Sequence, residues 1–525
     1  MSKSNAIKLH ISGKLQEAIS QYKKLLRKTP QDTDLLYFCG MAYFALNRNE
    51  IAEDYVKKAI KIQPDNFQYY NDLGLILVKQ NKFDEAEMSY KNAINFNTNF
   101  SAAHNNLGIL YKKTFRIDLA KNEHIKAIKI DPNNASAYNN LGIIYRYEDN
   151  LAEGFKCFNN AIDIKPDYYE AFCNLGLVLH DMGKYSDALR MYKKSIDINP
   201  KFYSALFNSS ISALITGDFY NGWKNYEYRI QLHHFIPEVL KVINETLLWQ
   251  GQDISHDSQL IILPEQGIGD EVMFSKLVNL IQAKKEYVVL ACDKRLVDIF
   301  SRSFIGIKVI SINDIHSLSN IRYSIPSGSL PNLLLSSIDT IHNKEKSFLI
   351  PCLEKKEYFA KKQEGVKNLK VGISWKSGNP EVGKRRSVPL EEWLPILNTN
   401  NCTFYNLQYG EVKEDICNIN KVCKNPIIID EEIDPIKNID AFTSFISTLD
   451  LVISIDNSAV HFSGSLGIPT WVLLPYAPDW RWMKNTKSTD WYTSIELFRQ
   501  QGNSWKSTID IVQKRISTFC HQEQQ

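Results

Sequence analysis

The stretch SIDNSAVHFSGSLGIP places polar side chains where they could bind an anion. Asp456, Asn457 and Ser458 directly follow the apolar run Leu451–Ile455. Such a run predicts a buried strand, and the residues after it predict a helix from Ser458 to Leu466. A helix capped by Asn457 or Ser458 would point its first N–H groups outward, and these favour a phosphate. His461 would lie near them, although a structural role explains this histidine equally well.

A second stretch, ILPEQGIGDEVMF, puts a carboxylate after two glycines. Gly267 and Gly269 permit a tight turn close to a ligand, and Asp270 follows them. Taken alone, Asp270 could also serve only as the cap of its helix. The pattern is not the dinucleotide fingerprint GxGxxG, because Val272 stands where the third glycine is required. A nicotinamide dehydrogenase is therefore disfavoured.

A third stretch, KVGISWKSGNPEVGKRR, combines hydroxyls and cations after a predicted strand. Ser374 and Lys376 lie at the strand's end, and Arg386 belongs to the loop that follows. These groups suit the anionic part of a nucleotide. A solvated basic loop is the alternative interpretation, favoured for Lys384 and Arg385.

The stretch LLPYAPDWRWM places three aromatic residues around Arg481. Tyr476, Trp480 and Trp482 could form a wall for a nucleobase or a sugar. A packed aromatic corner is the alternative for each tryptophan.

The elements that would position these groups alternate between short apolar runs and helical patterns. QLIIL, YVVLAC and IKVISI predict strands of a first sheet, and KVGISW, CTFYNLQ, PIIID, LVISI and TWVLL predict strands of a second. This alternation indicates two parallel α/β domains, residues 259–365 and 366–525, with a cleft between the carboxyl ends of their strands.

The first part of the chain repeats with a period of 34 residues. Prolines, glycines and small residues recur at that spacing, as in NNLGIIYRYEDNLAEGFKCFNNAIDIKP. Small residues let paired helices approach closely, and each proline stops a second helix before the next unit. The period predicts an α-helical solenoid over residues 1–230. Residues 231–258 are interpreted as a linker.

One position in the period carries amides. The residues two before the repeat glycines are Phe38, Asp72, Asn106, Asn140 and Asn174, and Asn208 continues the series in the degenerate last repeat. If this column faces the concave groove, its donors and acceptors suit an extended polypeptide. Its alternative explanation is that Asn-Leu-Gly is common in such repeats.

Composition excludes several classes of protein. A net charge of +3 gives no case for nucleic-acid binding. No run approaches the roughly 20 apolar residues of a transmembrane helix. Nine scattered cysteines, with no CxxC pair, fit neither a disulfide framework nor a zinc site. We expect a cytoplasmic protein without a metal site, and peripheral attachment to an inner membrane stays open.

Both halves resemble known families. The period and the quoted repeat resemble the tetratricopeptide repeat (TPR). The order GIGD, SWKSGN and SIDNSAVHFSGSLGIP resembles glycosyltransferase family 9, the ADP-heptose:lipopolysaccharide heptosyltransferases, over roughly residues 259–500. This resemblance implies a GT-B fold of two Rossmann-like domains, with the acceptor bound chiefly by the first and the nucleotide-sugar by the second.

The same resemblance implies roles for individual residues. Asp270 matches the family's catalytic base, and Lys376 matches a basic residue that contacts phosphate. The donor-binding motif maps onto Asp456, Asn457 and Ser458. The expected reaction is transfer of a sugar from a nucleotide-diphosphate sugar to an acceptor hydroxyl, inverting and independent of metal or cofactor, with a polypeptide or a glycan as acceptor. A repeat scaffold with an inactive transferase-like half is the alternative.

Overall fold

The computed structural model describes residues 2–232, 235–265, 267–318, 320–334, 346–379, 383–502 and 504–522. The chain divides into two compact units, residues 1–178 and 179–525. The division falls inside the predicted repeat region 1–230, so the last repeat helices belong to the second unit.

The first unit consists of paired helices. They are α1 (Lys3–Ile11), α2 (Leu15–Leu26), α3 (Thr33–Ala45), α4 (Asn49–Ile62), α5 (Phe67–Lys79), α6 (Phe83–Phe96), α7 (Ser101–Lys113), α8 (Ile117–Ile130), α9 (Ala135–Tyr147), α10 (Leu151–Ile164) and α11 (Tyr169–Asp181), which crosses the boundary. As the prolines predict, α8 ends two residues before Pro132 and α10 two residues before Pro166.

The repeat glycines make room for a large side chain of the partner helix. A Cβ atom added to Gly142 would lie 2.8 Å from the ring of Phe158 on α10, and one added to Gly108 would lie 2.7 Å from His124 on α8. Phe158 and His124 are fully buried. The 34-residue glycine period therefore reflects close packing within each helical hairpin.

The second unit begins with helices and continues into two sheets. Its helices are α12 (Tyr185–Ile198), α13 (Tyr203–Thr216), α14 (Phe219–Tyr226), α15 (Pro237–Glu245), α16 (Ile268–Ser275), α17 (Val297–Ser303), α18 (Leu330–Leu334), α19 (Leu353–Lys362), α20 (Gly383–Arg386), α21 (Leu394–Leu397), α22 (Lys413–Asn420), α23 (Ile439–Ile446), α24 (Ser458–Ser465) and α25 (Lys506–Gln522). Its strands are β1 (Leu247–Leu248), β2 (Gln259–Leu263), β3 (Val288–Cys292), β4 (Lys308–Ser311), β5 (Ile321–Pro326), β6 (Leu369–Ser374), β7 (Cys402–Asn406), β8 (Ile427–Ile428), β9 (Leu451–Ile455), β10 (Thr470–Leu474) and β11 (Ile495–Arg499).

Both sheets are parallel. The first has the order β1-β5-β2-β3-β4 and the second the order β11-β10-β9-β6-β7-β8. The chain order reverses direction between β2 and β5 in the first sheet and between β6 and β9 in the second. Ligands of open α/β sheets bind at such switch points, beyond the carboxyl ends of the strands. The motifs after β2, β6 and β9 all follow strands at these points.

The predicted linker, residues 231–258, contributes to the first sheet instead. β1 pairs in parallel with β5, and α15 buries Val239 and Val242 in the same apolar cluster as Ile261 of β2. The prediction of a mere connection was wrong here, because α15 is amphipathic and its apolar side covers the sheet.

Helix α14 also packs into the core of the α/β part. Trp223 contacts the ring of Trp480 edge-on, with 5.2 Å between the centroids, and Tyr226 lies 5.9 Å from the same ring. The degenerate final repeat thus acts as a covering helix of the α/β core, which explains why its sequence departs from the period.

Candidate functional site at the strand ends

The N-terminus of α24 has the predicted cap. Asn457 is the capping residue, and its side-chain oxygen accepts a hydrogen bond from the Ala459 N–H at 3.1 Å. Asn457 and Ser458 are partly exposed, whereas Asp456 is buried. The first turn of α24 therefore reaches the surface with its positive dipole end.

Ser374 joins β6 to β9 through its hydroxyl group. The Asn457 amide donates to Ser374 Oγ at 2.7 Å, and Ser374 Oγ donates to Gln408 Oε1 at 2.9 Å. Gln408 Oε1 also accepts from the Lys376 N–H at 2.7 Å. Ser374 is fully buried. The predicted donor contact through its hydroxyl is therefore replaced by a role in positioning the two strand ends. The Lys376 side chain itself is exposed beside them.

Alternating carboxylates and guanidinium groups connect the two sheets. We call this set the carboxylate–arginine chain; its members, in order, are Asp270, Arg481, Asp479, Arg386 and Asp456. Arg481 donates to both Asp270 and Asp479, and Arg386 donates to Asp479 at 3.0 Å. Arg386 Nη1 also lies 3.1 Å from Asp456 Oδ2. The carboxyl end of β2 is thereby joined to that of β9.

Burial and ion pairing shift the pKa values of the carboxylates in the carboxylate–arginine chain in opposite directions. Burial raises the pKa values of Asp270 and Asp456, although the neighbouring arginines work against the rise. Burial also acts to raise the pKa of Asp479, but Arg481 and Arg386 outweigh it and hold this pKa well below its usual range. Asp479 is therefore the fixed anion between two cations, while the carboxyl groups at the two ends bind protons more readily.

Asp270 is not a helix cap. Helix α16 begins at Ile268 with Gly267 in the capping position, so Asp270 lies in the first turn with its side chain directed to Arg481. Gly269 explains how α16 reaches the second sheet. A Cβ atom added there would lie 2.8 Å from His461 Cδ2 on α24, so the absence of a side chain lets the two helices touch.

His461 is a structural residue in this arrangement. It is 5% exposed, its Nδ1 atom lies 2.9 Å from the Tyr492 hydroxyl, and its ring stacks on Trp482. Burial, reinforced by the positive charge of Arg481, lowers the pKa of His461 to about 3. The ring is neutral at pH 7, so it brings no positive charge to a diphosphate, and its contact with the donor stays a prediction.

The aromatic loop is a packed corner rather than an open wall. Trp482 is fully buried and Trp480 is 4% exposed, while Tyr476 is 59% exposed. The Arg481 guanidinium lies over the Trp480 ring at 4.6 Å from its centroid. The tryptophans thus position Arg481 and are not available to stack on a base.

The predicted amide column takes part in contacts between successive repeats. Asn106 donates to Asn71 at 2.9 Å, and Asn140 donates to Asn105 at 3.1 Å. Asn174 repeats the contact with Asn139 at 2.9 Å. We call these bonds the amide ladder.

The donating residues of the amide ladder are partly exposed and the accepting ones are buried. Each donating asparagine thus hydrogen-bonds the buried asparagine of the preceding repeat and keeps part of its own amide at the surface.

The two ends of the predicted column differ from its middle. Asp72 is buried, and its carboxylate accepts from the Tyr37 hydroxyl at 2.5 Å and from the Gln68 amide at 3.0 Å. Its carboxylate is therefore engaged within the repeats and is not open to a groove. Asn208 is partly exposed on α13, within the second unit.

Sequence reasoning missed the residues that organise the site. Asp479 and Arg481 were considered only as part of an aromatic loop, and Gln408 and Tyr492 were not considered at all. The available signal was the alternation of charge with tryptophan in Asp479–Trp482, which begins five residues after the last residue of an apolar strand. Opposite charges two residues apart in such a loop indicate a buried ion pair.

Metal-binding clusters and membrane-spanning helices are both absent from the described residues. Those residues contain no group of three or more His, Cys, Asp or Glu side chains arranged to hold a metal ion. Among those same parts of the chain, no helix has both the length and the apolar content needed to cross a membrane.

Family models describe the helical part of the chain. Models of the tetratricopeptide repeat match residues 9–73, 74–114, 101–134 and 133–201. The N-terminal region consists of tetratricopeptide repeats. Such repeats form a scaffold for protein interaction, so a protein partner is expected for this region.

A curated relative extends beyond the repeats. The chain is 27% identical to Protein FlbA of Caulobacter vibrioides over 325 residues, a match that covers 58% of this chain and 54% of FlbA. The chain thus spans about half the length of that relative. The match to FlbA therefore covers more of this chain than residues 9–201, the region that the repeat models describe.

Solved structures resemble the chain only in part. MamA is 25% identical and matches 32% of this chain and 96% of its own, with a TM-score of 0.29. YrrB, described as a TPR protein with an unusual peptide-binding site, is 22% identical over 35% of this chain and 95% of its own, also with a TM-score of 0.29.

Proposed function

We propose that this chain is a glycosyltransferase that moves a sugar from a nucleotide-sugar to an acceptor hydroxyl. The carboxylate–arginine chain carries the proposal, because it links the carboxyl ends of both sheets at their switch points. Nucleotides bind at such points, and two guanidinium groups suit phosphate oxygens. The motif resemblance to glycosyltransferase family 9 and a GT-B fold supports the same activity.

Asp270 is the proposed general base. In the reaction the acceptor oxygen forms a bond to the anomeric carbon, its proton moves to Asp270, and the bond from that carbon to the phosphate oxygen breaks. The nucleotide leaves with the electron pair, so a single displacement inverts the anomeric centre. Burial raises the pKa of Asp270, which makes this carboxylate a stronger base than an exposed one.

Arg481, Arg386 and the first turn of α24 are proposed to stabilise the leaving phosphate. Phosphate oxygens would compete with Asp270 for Arg481, so donor binding would release the base at the moment it is needed. The exposed Lys376 and the positive dipole end of α24 at the partly exposed Ser458 supply further positive potential. Independence from metal stays part of the proposal.

The repeats are proposed to recruit the acceptor or a protein partner. The partly exposed amides of Asn106, Asn140 and Asn174 present hydrogen-bonding groups at a regular spacing. A polypeptide backbone offers the complementary groups. A glycan acceptor held by a protein partner stays within the proposal.

A repeat scaffold with an inactive transferase-like half is the second candidate. It is favoured by the contact of Arg481 with Asp270, which would leave the base occupied if no nucleotide binds. Melting curves with CMP, CDP, UDP, GDP, ADP and dTDP separate the two. A transferase is stabilised by about 2.7 kcal/mol at 100 times the dissociation constant of its nucleotide. An unchanged melting temperature with all six would favour the scaffold.

Replacing Asp270 tests the assigned base. We expect Asp270→Asn to reduce kcat by about 100-fold or more, because the amide cannot accept the proton, while nucleotide binding persists. Asp253→Asn, an exposed position of the same type, is the matched control and should transfer normally. Transfer by Asp270→Asn within a few fold of the wild type would place the base elsewhere.

A further inference from the structure

A cleft of about 460 Å³ lies at the carboxyl edge of the first sheet, and we call it the junction cleft. Its polar lining comprises Glu227, Gln231, Gln250, Ser329 and Asn332. Glu227 and Gln231 follow α14, whereas Ser329 and Asn332 follow β5. Because β1, β2 and β5 are parallel neighbours, the cleft opens on the same edge as the turn that leads to Asp270.

The floor of the junction cleft is tied to the turn between β2 and α16. Arg229 is 1% exposed and donates to Glu265 at 2.8 Å and to Ser329 at 2.9 Å. Glu265 also accepts from the Gly328 N–H at 2.7 Å. Five residues after Glu265 the chain reaches Asp270. A ligand in the cleft therefore rests on the same rigid group that positions the turn before the proposed base.

Tyr226 connects the floor of the junction cleft to the proposed base. The Arg229 guanidinium lies over the Tyr226 ring, 4.5 Å from its centroid, and the same ring packs against Trp480 with 5.9 Å between the centroids. Arg481 lies over the Trp480 ring and donates to Asp270. A continuous series of packed side chains thus joins the floor of the junction cleft to the proposed base.

The charge of the cleft fits an acceptor better than the donor. Its described lining residues include Glu227 and contain no lysine, arginine or histidine. A phosphate would find no cation at this surface. The nucleotide would instead meet Arg386 and Arg481 on the carboxylate–arginine chain.

The remaining chemistry of the cleft suits a polypeptide segment. Gln231, Gln250 and Asn332 bring carboxamide groups, which pair with backbone N–H and C=O groups. Leu248 and Leu333 are each 39% exposed and can take an aliphatic side chain. The described lining offers no exposed aromatic face on which a sugar ring could stack, since Trp249 is only 6% exposed and its indole N–H donates to the Gln252 carbonyl.

Resting on the proposed transferase activity, we infer that the junction cleft binds the polypeptide segment that carries the acceptor hydroxyl. The segment's backbone would pair with the carboxamides, and its serine or threonine would extend past Glu265 toward Asp270. The acceptor of the enzyme is then a protein side chain, delivered beside the end of α14 at the carboxyl edge of the first sheet.

Filling the cleft tests this inference on the full-length chain. The probes are a defined library of short synthetic peptides, each with one serine or threonine, and a set of free monosaccharides, both supplied with nucleotide-sugars. Gln250→Trp and Asn332→Trp should each raise the KM for peptide by about tenfold or more, because they remove binding that is equal in ground and transition states. Stabilisation by the nucleotide should stay at the wild-type value.

Asn244→Trp is the matched control. Asn244 is exposed and lines a different cleft, at the amino edge of the same sheet, so peptide transfer should be unchanged. Normal peptide transfer by both filled variants would overturn the inference, as would transfer to monosaccharides with none to peptides. Either result leaves the transferase activity in place. Failure of the wild type to bind any nucleotide would instead overturn the proposed function and this inference together.

Discussion

Asp270 and Glu271 are adjacent in sequence and meet different surroundings. Asp270 pairs with Arg481, whereas Glu271 is 7% exposed and accepts a hydrogen bond from the Asp293 N–H at 2.9 Å. Burial raises the pKa of Glu271 from its ordinary value of 4.5 to about 8. Glu271 is therefore protonated at neutral pH and fills a core position, while its neighbour supplies the charge.

The raised pKa of Glu271 makes stability depend on pH. Between pH 4.5 and pH 8 the native state holds a proton on Glu271 that the unfolded chain has released. The contribution of Glu271 to the free energy of unfolding is therefore complete below pH 4.5 and is lost as the pH rises through 8. Glu271→Gln keeps the acceptor for Asp293 and cannot ionise. We expect the melting temperature of this variant, measured relative to the wild type, to be about 3 °C or more higher at pH 9 than at pH 5.

Scanning calorimetry over that pH range measures the effect. Glu245→Gln is the control, because Glu245 is exposed on α15. A gap between Glu271→Gln and the wild type that is the same at pH 5 and pH 9 would show that Glu271 ionises normally.

At the scale of elements, the sequence predicted eight of the eleven described strands and missed β1, β5 and β11. β9 and β10 have the predicted bounds, since each combines four apolar residues with one serine or threonine, a pattern typical of a strand that is buried on both faces. β1 has only two residues, and β11 includes Glu496 and Arg499 at the edge of its sheet. β5 lies inside its sheet, but it includes Arg322 and ends in Pro326, so its sequence lacks a continuous apolar run.

The site was predictable only within single motifs. The cap of α24 follows from local sequence, and the structure confirms it. The link from Asp270 to Arg481 joins residues 211 positions apart, and no local pattern determines which arginine meets which carboxylate. The neutral state of His461 likewise depends on burial by Tyr492 and Trp482, which only the folded sheet brings together.

The glycine period makes a prediction about helix pairing. Gly142→Ala should lower the free energy of unfolding by about 1–3 kcal/mol, because its methyl group would overlap the Phe158 ring. In the double variant with Phe158→Leu, the loss should be smaller than the sum of the two single losses, since the shorter side chain makes room.

Chemical denaturation of the four proteins in this cycle measures the coupling. Strictly additive losses would contradict the proposed contact. They would mean that Gly142 is required for its backbone conformation alone.

At the scale of the whole molecule, the repeats are expected to bind the partner while the second unit binds the nucleotide. Replacing Asn106, Asn140 and Asn174 together by alanine should weaken partner binding and leave the nucleotide-induced rise in melting temperature unchanged. The readouts are thermal melting and pull-down with an acceptor protein, which mass spectrometry of cell proteins made with and without this chain would first identify.

The amide ladder supplies a matched control for this triple variant. Asn71, Asn105 and Asn139 accept the same three hydrogen bonds and are buried, so they cannot touch a partner. Their triple replacement by alanine loses these three bonds, together with the bonds of Asn71 to Asp72 and of Asn105 to Ser136 and His124, and should still retain partner binding. Equal loss of binding in both triple variants would show that the amides act through stability alone.

The ladder also bears on how the repeat array can change in length. Each bond joins residues 35 positions apart, with the donor one position beyond the acceptor's equivalent in the next 34-residue period. Removal of residues 106–139 would bring Asn140 to the place of Asn106, opposite Asn71, with its donor and acceptor still matched. Whole periods can therefore be gained or lost in a lineage without leaving a buried amide unpaired, whereas any shorter insertion within a helix would break the register.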